Sequence, residues 1–106
     1  MKKTTKTKTF TVLDIDMYDY PDGQTTVTGF KTLEAAREYA RRRTRDSVEA
    51  ERPGSTSAKD LKDRWYLFGE DCVVISGDYS GGSELDFFIA HKATKKERDW
   101  VSLSPA

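Results

Sequence analysis

The chain has 106 residues, 36% of them hydrophobic and 34% charged, with 18 basic and 18 acidic side chains that cancel. That length suits one domain with a modest core, and a net charge of zero supplies no global attraction to nucleic acid or a membrane surface. A single cysteine, Cys72, excludes an intrachain disulfide framework, and with one histidine, His91, it excludes a cysteine–histidine zinc site within one chain. No apolar run approaches a membrane span, and the Lys/Thr-rich start lacks the apolar core of a signal peptide. The expectation is therefore a soluble cytoplasmic protein that requires no cofactor.

In chain order, Lys2, Lys3, Lys6 and Lys8 occur before any acid. Residues 1–8 are expected to form a partly flexible basic arm, and residues 9–104 a single α+β domain. From Phe10 to Tyr20 the sequence FTVLDIDMYDY alternates. Leu13, Ile15 and Met17 share one face, read as the apolar one, and Asp14 and Asp16 share the other. Phe10 and Val12 fall on the aspartate side, which calls for a bulge or for cover on both faces. Pro21-Asp22-Gly23 is a turn signal, and Thr25 to Phe30 returns as a β-branched strand.

Thr32 caps a helix running to Arg52, with Leu33, Ala36, Ala40, Ser47 and Val48 near one face and Thr44 bridging the gap. Its small residues suit close packing on a sheet, and its charged face is assigned to water. Pro53-Gly54-Ser55 ends it. Ser57 to Asp60 reads as a capping signal for a second helix carrying Leu61, Trp65 and Phe68 inward, with Gly69 closing it. A second hairpin is expected, with strands Cys72–Asp78 and Glu84–Ala90 joined by the turn YSGGS. Thr94-Lys-Lys-Glu97 is a capping box opening a last short helix that carries Trp100 and Leu103. The predicted order is ββααββα: an antiparallel four-stranded sheet of two hairpins with one long and two shorter helices. Strand order does not follow from the sequence.

Three surfaces compete for a functional reading. Arg37, Arg41 and Arg45, with Lys6 and Lys8, are the residues a nucleic-acid binder would use, since arginine forks suit phosphates. The helix supplies its own acids, however, at spacings that pair Glu34 with Arg37, Glu38 with Arg42, Arg42 with Asp46 and Arg45 with Glu49. From Leu33 to Arg52 six basic residues face five acidic ones, so a salt-bridged helix is the preferred reading and nucleic acid the alternative. The second surface is acidic. Leu13 to Met17, an apolar strand ending in Asp-x-Asp, resembles the nucleophile motif of haloacid-dehalogenase-like phosphatases, where paired aspartates hold magnesium and attack phosphate. The likeness stops there: Tyr18 stands where that family usually has Thr or Val, a hairpin follows instead of a helical crossover, and the chain is too short for the doubly wound domain. Asp14 and Asp16 would serve a metal-dependent enzyme only if another acid joined them.

The third surface is aromatic. Tyr18, Tyr20 and Tyr79 lie at predicted hairpin ends, where a rigid amphipathic ring often marks an interface. His91 has no visible catalytic companion, and Cys72, beside Asp71, reads as a small buried hydrophobe. Acids crowd the two predicted hairpins while bases crowd the start and the long helix. The leading expectation is thus a small non-enzymatic interaction protein, of the bacterial or phage accessory or inhibitor kind. It binds a macromolecular partner, an unidentified protein, or itself through Tyr18, Tyr20 and Tyr79 and this segregated charge.

Overall fold

A computed structural model describes residues 8–105; Lys6 and most of the expected basic arm lie outside them. Strands β1 (Phe10–Asp16), β2 (Gln24–Phe30), β3 (Glu70–Val74) and β4 (Tyr79–Ser80) form one antiparallel sheet in the order β2-β1-β3-β4. Helices α1 (Leu33–Glu51), α2 (Ala58–Phe68) and α3 (Leu85–Ala90) complete the order ββααββα of an α+β fold. Among the described residues no helix is long and apolar enough to cross a membrane.

The first hairpin closes where Asp16 N–H donates to Gly23 O at 3.2 Å. Its register pairs Asp14 with Thr25, Leu13 with Thr26 and Val12 with Val27, then shifts before Phe10 meets Phe30. Phe10 and Val12 stay in phase with Asp14, so this is not the phase-shifting bulge in β1 that the sequence offered as one option; the extra residue lies in β2. Gly29, at φ +100, supplies the left-handed conformation beside it.

Thr32 caps α1 by accepting from Ala35 N–H at 3.0 Å, and Ala36, Ala40, Thr44 and Val48 are buried as the periodicity predicts. Two cores meet along this helix. Val12, Phe30, Ala36, Tyr39, Ala40, Cys72 and Val74 form one between α1 and the sheet. Val48, Leu61, Trp65, Leu85 and Phe88 form the other among the three helices.

Four local expectations need correction. The outward face of α1 is not simply solvated: Tyr39, Arg45 and Glu49 are buried as well, because the segment after the sheet folds back over them. Phase along β1 is also inverted. Val12 and Asp14 are buried toward α1, opposite Val74 and Cys72, while Leu13 and Ile15 lie on the other face and are only half-buried. An aspartate tolerates the inner face because Arg43 from α1 meets it there.

The third concerns Glu84–Ala90, which is not a strand: Glu84 ends a 3-10 turn and Leu85–Ala90 is helix α3. Leu85 and Phe88, one helical turn apart, are the buried pair, and Phe87 is exposed. The hairpin reverses earlier, through Ser76 and Asp78 at positive φ, so β4 spans only Tyr79–Ser80. Gly81 then sits against the Thr44 side chain so closely that any Cβ would collide with it. That contact turns the chain away from the sheet into a helical turn. The fourth is the last segment, whose helix is replaced by two 3-10 turns, Lys96–Arg98 and Val101–Leu103. The Thr94–Glu97 capping box forms nonetheless, with both reciprocal hydrogen bonds present.

Ala40 is fully buried between α1 and the sheet. Ala40→Leu is expected to overpack this contact and cost about 1–3 kcal/mol. Thermal unfolding reads it directly, and an unchanged melting curve would refute the placement of the buried stripe.

Candidate functional site

The arginines of α1 are the natural starting point, because their spacing sets where they point. Arg37, Arg41 and Arg45 lie one turn apart, and each docks a successive part of the returning chain. Arg37 donates to Gly77 O at 2.9 Å, Arg41 to Glu84 at 2.9 Å, and Arg45 to His91 O at 2.7 Å and Glu97 at 3.3 Å. Arg45 is buried. They form a seam along the contact between α1 and the returning chain, running from exposed Arg37 through half-buried Arg41 to buried Arg45, each already engaged by a protein acceptor. Of the intrahelical pairs expected from sequence, Glu38 with Arg42 forms at 2.7 Å. Asp46 instead receives Arg98 at 2.6 Å, and Glu49 receives Arg52 at 2.7 Å. The acids that neutralise this helix come mostly from distant elements, which spacing within one helix cannot reveal. Lys8 stands over the Phe10 ring at 5.5 Å, apart from the arginine seam.

Asp14 occupies a second polar centre. Its carboxylate accepts from Arg43 at 3.2 Å and from the Cys72 thiol at 3.1 Å, while Arg43 also donates to Glu70 at 3.2 Å and to Tyr39 OH at 2.6 Å. Burial, together with the neighbouring Asp14 carboxylate, pushes Glu70 up to about 7 despite the pull of Arg43. Burial and Asp14 also push the Cys72 thiol far up, so it offers no thiolate at neutral pH. Asp16 is turned to a local task, accepting from Tyr18 N–H at 3.0 Å. Asp14 and Asp16 are therefore engaged by protein groups. No set of three His, Cys, Asp or Glu side chains is grouped as metal ligands among the described residues.

Tyr79 parts from the other two tyrosines. It lies in β4 beside Val74, packs against the sheet core, and its hydroxyl donates to Glu84, which also accepts from Arg41. Burial alone would raise Glu84, but these two donors hold it below the usual carboxylate range. The ring thus buttresses a half-buried ion pair at the opposite end of the strands from the first hairpin tip.

Tyr18 and Tyr20 remain together at that tip, 74% and 64% exposed, and α2 brings two more rings to them: Tyr66, 55% exposed, and Phe68, 45% exposed. Tyr18 and Phe68 have ring centroids 5.6 Å apart. Tyr20 and Tyr66, with Ile15, Met17 and Asp71, line an open cleft of about 370 Å³. Phe68 corrects the sequence reading, which placed it in the core. Tyr66, Leu67 and Phe68 are consecutive, and a helix face that buries Leu61 and Trp65 cannot also bury all three. That run was the available signal for the α2 half of the patch. Two aromatic residues from a hairpin and two from a helix make a surface that is exposed to water at a solvation cost. Asp16, Asp19, Asp22 and Asp71 from β1, the hairpin turn and β3 give it an acidic border.

Compared with known proteins, the chain matches no family model, no curated protein and no solved structure.

The polar centre generates a pH test. Glu70 stands above its ordinary 4.5, so the stability it contributes is full below about pH 4.5 and is lost as pH rises through about 7. Glu49 and Glu84, held below 4.5, act oppositely: their contribution is present above the ordinary value and is lost toward acid. Stability is expected to fall between about pH 5 and pH 8, by on the order of 1–2 kcal/mol once solvent screening of the partly exposed Glu70 is discounted. Glu70→Gln, neutral throughout, should flatten that limb in urea titrations. A wild-type profile that rises across this range would contradict the assignment.

Proposed function

We propose that this chain is a non-enzymatic interaction protein whose contact surface is the aromatic patch of Tyr18, Tyr20, Tyr66 and Phe68. One observation carries the reading: four large rings from two separate elements converge in solvent while other aromatic residues of the chain, Tyr39, Trp65 and Phe88, are buried. Rigid, amphipathic rings give contact area at low entropic cost, and such residues dominate binding energy at interfaces. The open cleft between Tyr20 and Tyr66 would accept one apolar side chain. The acidic border favours a partner segment in which that side chain is flanked by Lys or Arg. The arginine ridge, whose side chains are committed to Gly77, Glu84 and Glu97, holds the fold that presents this patch.

The test pairs capture with stability. Tyr20→Ser and Tyr66→Ser are expected to weaken binding of a partner isolated from the native host by about 10- to 30-fold, as loss of an interface anchor does. Both side chains are largely exposed, so thermal midpoints should stay close to wild type. Tyr79→Phe, which removes the hydroxyl from the Glu84 pair, should show the reverse: intact binding and lower stability. Undiminished capture by the Tyr20→Ser/Tyr66→Ser double variant would sink the reading.

A further inference from the structure

The two edges of the sheet are treated differently. On one side β4 is two residues long, and the chain leaving it stays beside β3, where Gly82 N–H donates to the Asp71 side chain at 2.9 Å. That edge is short and covered, as exposed edges in soluble proteins usually are. On the other side β2 is a seven-residue strand, QTTVTGF, with no charge and no proline. Gln24, Thr25, Thr26 and Thr28 are exposed. None of the usual blunting devices interrupts this edge before Gly29.

The register shows which backbone groups face outward. Asp16 N–H bonds to Gly23 O, and hydrogen-bonded pairs alternate along an antiparallel ladder. Gly23, Thr25 and Val27 therefore turn their N–H and C=O toward β1, while Gln24, Thr26 and Thr28 turn theirs away from the sheet. Among the described residues no backbone hydrogen bond reaches β2 from outside the hairpin.

We propose that β2 is a strand-addition edge and that its occupant is β2 of a second copy of this chain. This edge adjoins the aromatic patch, sharing Asp19 and Asp22 with its acidic border, but its backbone pairing does not depend on the role of the rings. The outward positions are symmetric about Thr26. An antiparallel pair with its two-fold axis there sets Thr26 against Thr26 of the second copy, and Gln24 against Thr28 in both directions. Every outward group is then satisfied, in the self-complementary manner that a two-fold interface requires. Threonine pairs across strands add side-chain contact.

Charge selects a second copy over an arbitrary peptide. Asp19 and Asp22, both exposed, precede β2, and exposed Lys31 follows it. The antiparallel arrangement brings the acidic end of each copy beside Lys31 of the other, twice by symmetry. A parallel arrangement would oppose like charges.

Sedimentation equilibrium on the full chain, from micromolar to millimolar concentration, tests this. The expected mass rises with concentration from 12.1 kDa toward twice that value. Thr26→Pro removes one outward N–H at an edge position that tolerates proline, and should remain monomeric with an unchanged circular dichroism spectrum. Lys31→Glu should weaken dimerisation about tenfold, and adding Asp22→Lys to it should restore the wild-type constant. If Thr26→Pro unfolds, the charge-swap pair decides alone. A wild-type chain monomeric throughout would overturn the proposal, as would a dimer indifferent to both Thr26→Pro and Lys31→Glu.

Discussion

A guanidinium placed between two carboxylates sets the geometry of this fold. Arg43 reaches from α1 to Asp14 on β1 and Glu70 on β3, and in doing so lets an acidic strand face become the inner one. Without that cation a buried aspartate and a half-buried glutamate would face each other as like charges, a costly arrangement where burial limits solvation. With it, the helix is fixed to both central strands at one depth and one rotation. Tyr39 and Trp100 frame the same guanidinium, whose carbon lies 4.3 Å from the Trp100 ring centroid. The last turns of the chain are thereby anchored to the same point.

From this centre the rest of α1 works as a spine. Each turn of its arginine ridge receives one segment of the returning chain, so residues far apart in sequence are ordered by a single helix. Such dependence explains why a chain with so few hydrophobic residues still closes two cores. Part of the inner surface is supplied by charges paired across elements, Asp14 with Arg43 and Arg45 with Glu97, and the arginines bury their aliphatic stems while doing so.

Legibility in the sequence followed the range of the interaction. Features decided within a few residues were readable: the Pro21–Gly23 turn, the Thr32 cap, the Ala36–Ala40–Thr44–Val48 stripe, the Thr94–Glu97 capping box. Features decided by long-range neutralisation were not. Nothing near Asp14 says that an arginine 29 positions later will make it an inner residue, so hydrophobic alternation put Leu13 and Ile15 on the wrong side. Glu84–Ala90 failed for a related reason: its alternation fits a strand, but Gly81 against Thr44 redirects the chain, and that contact exists only after folding. The candidate patch was half legible. Tyr18 and Tyr20 stood out beside a turn, whereas their meeting with Tyr66 and Phe68 is a tertiary fact, and Tyr79 shared only a residue type with them.

The solitary thiol has a use beyond packing. Cys72 is wholly inaccessible, locked between Asp14 and the Thr44 hydroxyl that accepts its own backbone N–H. Alkylating reagents can reach it only when α1 lifts from the sheet, so their reaction rate measures that opening. The molecule carries its own clock for separation of helix from strands, needing no engineered label.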